Sequence, residues 1–312
     1  MWSPTARRLL MVRLVRFHAL GKGVRIGSVE GGSVIDLTSI DPRLFSSIPR
    51  MVKLAESQGV SLDTLVEDTV GRLRGDPYEY AALDRAATGS EAHLLLPYRP
   101  PEVWGCGVTY ERSRKAREDE TTVKGPYDMV YEAERPEVFF KATGERCVGP
   151  NEPICVRSDS ESTVPEAELA FVVGAGPSII GYMVGNDVTA RDIEGQNPLY
   201  LPQAKIFKGC CALGPAFVSS EGLKQPHSLG VRCRILRNGR PVFEGETNTS
   251  KLKRSLDELL VYLCRNNPVP LGSVCLTGTG TVPPMGFTLR QGDVIEIEIE
   301  GLGLLRNPVR QL

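Results

Sequence analysis

Apolar and polar positions alternate from Val12 to about Leu37, with Gly21, Gly23, Gly31 and Gly32 punctuating the alternation. A period of two broken by glycine turns predicts a small antiparallel sheet. Between Pro49 and Leu73 the spacing lengthens: Met51, Leu54, Leu65 and Val66 recur at helical intervals and Gly59 interrupts them, which predicts helices. The prolines of Leu96-Pro97-Tyr98-Arg99-Pro100-Pro101 then impose an extended passage and mark a domain boundary. The expected organisation is a disordered extension over residues 1–10, a small N-terminal domain over 11–95 and a larger domain over 96–312.

Beyond the boundary, Val103 to Val108 reads as a strand and Tyr110 to Lys124 as a strongly charged segment. Its composition suits a solvated helix or loop, and its length also suits a lid. From Val138 onward short β-rich runs recur. Asn238-Gly239, set between Arg232–Leu236 and Pro241–Glu244, predicts a hairpin closed by a type I′ turn. Ser250 is the expected N-cap of an amphipathic helix carrying Leu252, Leu256, Leu259, Leu260 and Leu263 on one face.

A formal net charge of −1 over 312 residues, with Lys and Arg scattered, provides no field and no basic stripe for nucleic acid. No apolar run approaches the roughly 20 residues needed to span a bilayer, so no membrane partner is expected. Met1 to Leu10 carries Arg7 and Arg8 but neither the long apolar stretch nor the cleavage site of a secretory signal, and a cytoplasmic location is expected. The eight cysteines contain no Cys-x-x-Cys pair, so they read as reduced thiols rather than zinc or redox ligands. The three histidines, His18, His93 and His227, lie away in sequence from the acidic cluster described next, which leaves a histidine triad unsupported.

That cluster begins at Pro165-Glu166-Ala167-Glu168, which leads into the apolar run Leu169 to Val173. On a strand, residues two apart share a face, so Glu166 and Glu168 stand side by side. Two adjacent anions entering a core need neutralising, and all-oxygen ligation favours magnesium, manganese or calcium. Taken alone, the same pair also suits a solvent-facing strand edge. Asp187 closes the next apolar run, Ile179 to Asn186, where it can join the pair on one ion or cap the turn it begins.

Glu-x-Glu-Leu, then Gly-x-x-x-x-Asn-Asp-Val-Thr-Ala-Arg-Asp, then Ala204-Lys205-Ile206-Phe207 and Leu276-Thr277-Gly278-Thr279-Gly280 resemble, in that order, the fumarylacetoacetate hydrolase superfamily. The resemblance covers about Val103 to Arg310. It implies a β-rich α+β fold, a mixed β-sandwich roll with a smaller N-terminal α+β domain, and a catalytic role for the larger domain. It further implies that Glu166, Glu168 and Asp187 hold a metal, usually Mg2+, with Lys205 in the active site.

Within the superfamily, four further stretches resemble the branch that dehydrates 2-keto-3-deoxy sugar acids. These are Pro101–Gly105, Arg135–Thr143, Val156–Glu161 and Asn197–Gln203. By that resemblance Glu137, Lys205 and Thr279 surround the substrate, a small-molecule 2-keto sugar acid, and Tyr110, Lys141 and Arg191 are candidate substrate contacts. The duller readings give Thr279 a turn, Lys141 a solvent-facing strand position, and Arg191 a structural pair with Asp192 or Glu194.

The pattern departs from the hydrolases in two places. Tyr110 is followed by Glu111-Arg112-Ser113 with no His in the segment, and Glu194 stands where many hydrolases have Gln. Without that base elimination is favoured over C–C hydrolysis. The expected reaction converts a 2-keto-3-deoxy pentonate to 2,5-dioxopentanoate through a metal-stabilised enolate and β-elimination. The alternatives are a C–C hydrolase of an acylpyruvate or diketo acid and a non-catalytic sugar-acid binding protein. Members of such families commonly form homodimers or homotetramers.

Overall fold

A computed structural model describes residues 11–72, 76–122 and 125–312. The extension expected over residues 1–10, and the predicted segment ends at Leu73 and Lys124, lie outside the described residues.

The N-terminal part runs β1 (Arg13–Ala19), β2 (Gly23–Glu30), β3 (Ser33–Asp36), α1 (Leu37–Ile40), α2 (Ile48–Gln58), α3 (Leu62–Arg72), β4 (Pro77–Glu79), α4 (Tyr80–Leu83) and β5 (His93–Leu95). The alternation read from Val12 onward is a meander of β1, β2 and β3. Gly59 ends α2 in the left-handed conformation at φ 66°, which a residue without Cβ adopts freely.

After the prolines come β6 (Val103–Gly107), α5 (Glu111–Glu120), α6 (Pro126–Glu132), β7 (Glu137–Ala142), β8 (Cys147–Val148), β9 (Ile154–Val156) and β10 (Thr163–Val164). Then follow β11 (Ala167–Val173), β12 (Ile179–Asp187), β13 (Thr189–Ala190), α7 (Arg191–Gln196), α8 (Leu201–Lys205) and β14 (Cys211–Ser219). The chain closes with β15 (Gly230–Arg237), β16 (Arg240–Asn248), α9 (Leu256–Cys264), β17 (Val274–Leu276), β18 (Val294–Ile299) and β19 (Gly303–Gln311).

Two sheets dominate. The larger runs β4-β3-β2-β1-β14-β12-β11-β17-β6-β7, with β5 beside β1 and β8 beside β14; the smaller runs β16-β15-β18-β19-β9. The large sheet is continuous across the proline-rich passage, because β1 pairs with β14. Every residue of β11 and β14 is buried, as expected of strands covered on both faces. No helix among the described residues is long and apolar enough to cross a membrane, and all eight cysteines are free thiols.

The Asn-Gly hairpin is present, with Asn238 at φ 52° and Gly239 at φ 74°, the two positive angles a type I′ turn requires. The predicted cap is displaced. Ser250 lies in a 3-10 turn capped by Asn248, Leu252 is extended, and Ser255 caps α9 by accepting the Glu258 N–H at 3.1 Å. Leu256, Leu259, Leu260 and Leu263 still form the buried face, so the apolar stripe was legible while its starting turn was not.

One acidic residue in the fold is held against its preference. Asp63 in α3 is fully buried, and burial pushes its carboxyl up to about 6, the Ser219 hydroxyl and Val12 amide pulling the other way. The folded state therefore binds a proton that the unfolded chain releases near pH 4, and stability falls as pH rises from about 4 to 6. Asp63→Asn is expected to leave stability unchanged at pH 4 and to raise it by about 1–2 kcal/mol above pH 6, read as a pH-dependent gap between thermal midpoints. A gap that does not change with pH would contradict this account.

Candidate active site

The centre of the large sheet brings the acidic residues together. In the antiparallel β11–β12 pair, Glu168 stands opposite Gly185 and Ala167 opposite Asn186, and the Asp187 N–H donates to the Glu166 carbonyl at 3.0 Å. Glu166, Glu168 and Asp187 are all buried, and each offers a carboxylate oxygen within 4.8 Å of the others. The strand edge and the turn cap are thus set aside: these side chains share one pocket of the core.

Cations surround the cluster. The Lys205 ammonium, at the end of α8, lies 3.1 Å from Glu166 Oε2 and 2.9 Å from Asp187 Oδ2, and donates to Thr189 Oγ1 at 2.8 Å. Arg117 of α5 donates to Glu166 Oε1, and Arg191 Nε lies 3.4 Å from the same oxygen. Burial acts to raise the Glu166 carboxyl, but Lys205, Arg117 and Arg191 outweigh it and hold the group well below its ordinary range. Burial likewise acts against the Lys205 charge, but Asp187 and Glu166 hold its ammonium above the ordinary lysine value.

Glu168 is the exception. It accepts the Gly278 N–H at 2.6 Å and has no ion-pair partner among the described residues. Burial, with Asp187 and Glu166 as like charges beside it, pushes its carboxyl well above the ordinary range. Glu168 is thus the one carboxyl of the three that no protein cation pairs among the described residues. A hard divalent cation on three carboxylates supplies that partner, so the donor set fits magnesium.

Local backbone features hold this arrangement. Gly278 sits at φ +94°, and a Cβ there would meet Thr109 Oγ1 at 1.9 Å, so glycine is what lets its N–H reach Glu168. A Cβ on Gly107 would meet Glu137 Oε2 at 1.9 Å, so the bare backbone leaves room for that carboxyl. Val108, a β-branched residue at φ 55°, makes the turn from β6 toward α5.

Glu137, Lys205 and Thr279 line one cavity with Glu166 and Asp187. Burial and the Glu194 charge push the Glu137 carboxyl up to about 7, against the pull of Lys205 and Arg117. Tyr110 is buried near enough to Glu168 for that charge, after burial, to raise its phenol, but its ring borders a neighbouring hollow beside Gly280.

Lys141 does not face solvent. It is fully buried behind Asp187, 2.5 Å from Oδ1, and donates to the carbonyls of Val188 at 2.9 Å and Lys205 at 2.6 Å. It is absent from the cavity lining, where a substrate contact was expected, and braces Asp187 and Lys205 together from behind. Arg191 pairs with neither Asp192 nor Glu194 but with Glu120 at 2.6 Å and Glu166, because α7 turns it toward α5.

Arg117 of α5 and Tyr127 of α6 line the cavity and were not singled out in the sequence, and Ser113 of α5, also in the lining, was noted only as part of a segment without histidine. The charged segment forms α5, and α6 follows it; Arg117 of the first and Tyr127 of the second reach the cavity of the carboxylates. Arg117 Nε lies 3.3 Å from Glu194 Oε2, and Ser113 and Arg117 are the buried residues of α5. The signal was present only as the lid-like length of a polar run. Beneath the helices the cavity has about 10 Å3 of free space, room for roughly one water.

Residues 102–310 match the model of the fumarylacetoacetate (FAA) hydrolase C-terminal domain. The chain belongs to the fumarylacetoacetate hydrolase family. Two family members share most of its length. A 2-dehydro-3-deoxy-D-arabinonate dehydratase of Saccharolobus solfataricus is 40% identical over 97% of this chain and 97% of its own. A probable 2-keto-3-deoxyxylonate dehydratase of Haloferax volcanii is 44% identical over 91% of this chain and 95% of its own. A solved structure of a 2-keto-3-deoxy-D-arabinonate dehydratase complexed with magnesium and 2,5-dioxopentanoate superposes with a TM-score of 0.79 at 37% identity, covering 96% of this chain and 99% of that one. The fold is therefore that of the family, as the sequence led us to expect.

Proposed function

We propose that the protein is a magnesium-dependent hydro-lyase that converts a 2-keto-3-deoxy pentonate to 2,5-dioxopentanoate. The observation that supports it most is the near-full-length identity to the two dehydratases, of 40% and 44%. The substrates in their names agree chemically. Once C2 is a ketone and C3 lacks its hydroxyl, arabinonate and xylonate of one series differ nowhere, since only the C4 centre remains.

Glu166, Glu168 and Asp187 would hold the cation, which supplies electrostatic stabilisation of negative charge developing on the keto-acid oxygens. The protein's own groups divide the proton transfers. Glu137, with its carboxyl near 7, is the base that removes a proton from C3. Lys205, held as an ammonium by Asp187 and Glu166, is the acid that protonates the C4 hydroxyl as it leaves as water. A proton lost from C5 and one regained at C3 then turn the unsaturated alcohol into a C4–C5 enol, which becomes the aldehyde as its hydroxyl proton leaves and C4 takes one up. An ammonium so held is no amine nucleophile, which sets aside a Schiff base on Lys205. Arg117 and Tyr127 close the site from the lid side, and α5 must shift to admit a substrate larger than one water.

The test is turnover of 2-keto-3-deoxy-D-arabinonate with magnesium, read through a coupled semialdehyde dehydrogenase. Semialdehyde formation that stops on adding chelator is expected. Release of pyruvate from a diketo acid, with no semialdehyde from the sugar acid, would establish the hydrolase instead.

A further inference from the structure

A second polar recess lies where the N-terminal strands meet the rest of the chain. It is a groove of about 690 Å3, within the size range of small-molecule sites, and shares no lining residue with the carboxylate cavity. Its floor follows from strand periodicity. Val15, Phe17 and Ala19 of β1 turn into a core, so Arg16 and His18 project from the other face. In β5, His93 stands directly opposite His18, and the two rings stack with centroids 5.3 Å apart. Arg99, from the proline-rich passage, lines the same groove.

Two carboxylates share the groove with Arg16 and Arg99, and neither contacts Arg16. Glu145 is exposed and paired with Arg99 at 2.9 Å, and Glu152 accepts the Gly149 N–H at 2.6 Å. Arg16 donates to the Leu96 carbonyl at 3.3 Å and has no ion-pair partner among the described residues. Burial and the nearby Arg99 charge hold its guanidinium below the ordinary arginine value, against the pull of Glu152. His18 Nδ1 is buried without a hydrogen-bond partner. A part-buried guanidinium beside a like charge, flanked by two imidazoles, thus has no carboxylate within ion-pair distance among the described residues.

We propose that this groove binds a small oxyanion, a carboxylate or phosphate group, on Arg16, with Arg99 and the His18–His93 pair as its other donors. A planar guanidinium fork suits two oxygens of one such group. The assignment is independent of the reaction at the carboxylate site.

The test is calorimetric titration of the full chain, freed of metal by chelator, with inorganic phosphate and separately with succinate. Saturable binding of at least one probe is expected, weakened at least tenfold by Arg16→Gln and by Arg99→Gln and unchanged by Glu166→Gln. Whichever probe binds identifies the group recognised. Arg99 is exposed, so its variant folds and decides the matter even where Arg16→Gln loses stability. No saturable binding of either probe, or binding that Arg99→Gln leaves within twofold, would overturn the proposal.

Discussion

Replacing Asp187 with Asn is expected to lower magnesium-dependent turnover by about a thousand-fold and to lower the thermal midpoint with it. Both effects come from the same place. Asp187 stands between two buried ammonium groups, Lys141 at 2.5 Å and Lys205 at 2.9 Å, and is one of three carboxylates within 4.8 Å of one another. An amide removes a ligand charge and leaves both lysines short of a partner. Breaking a buried ion pair from one side costs about 3–5 kcal/mol, so a drop of several degrees is expected.

Glu168→Gln should separate the two consequences. Glu168 contributes a ligand but no ion pair, and burial beside Asp187 and Glu166 pushes its carboxyl up. Its amide variant is expected to lose the response to magnesium equally, yet to melt above the wild type in chelator, because an amide need take up no proton to be buried beside Asp187 and Glu166. Scanning calorimetry with and without magnesium, alongside turnover, reads both. Asp187→Asn retaining turnover within tenfold of wild type would sink the assignment of the three ligands. Glu168→Gln melting lower in chelator would show that its charge is matched after all.

The carboxylate cluster was legible in the sequence because its members follow from local spacing. Two carboxylates two apart at the head of an apolar strand, and a third at the end of the next, meet when the strands pair in register. Arg117 and Tyr127 were not legible, since a polar run reads as solvated surface until something beneath it is charged. What draws α5 down is Glu166 and Glu194, whose partners lie 49 and 77 residues back along the chain. Lys141 was misread toward solvent for a related reason: strand periodicity gives the face, but not the presence behind it of Asp187 and two free carbonyls. The shift from Ser250 to Ser255 has a shorter cause. Both are serines near the same leucine stripe, and the turn held by Asn248 absorbs the first of them.

Glu137→Gln is expected to lower kcat by about 10²- to 10⁴-fold, the range for loss of a general base, with KM changed little. It should also alter the pH profile in a way a packing defect would not. A base works as its carboxylate, so wild-type turnover should rise with pH through the Glu137 titration, which burial and Glu194 place near 7. A bound divalent cation adds positive charge nearby and moves that limb to lower pH. Two further variants bear on the assignment. Lys205→Met should lower turnover but keep the limb, moved alkaline, because it removes the acid and the charge that pulls Glu137 down but not the base. Glu194→Gln takes away the like charge that raises Glu137, so its limb should move toward acid while the shape of the profile is kept. A limb that persists in Glu137→Gln would place the base elsewhere. One that vanishes there and moves acidward in Glu194→Gln would tie proton abstraction to the carboxyl that bare Gly107 leaves room for.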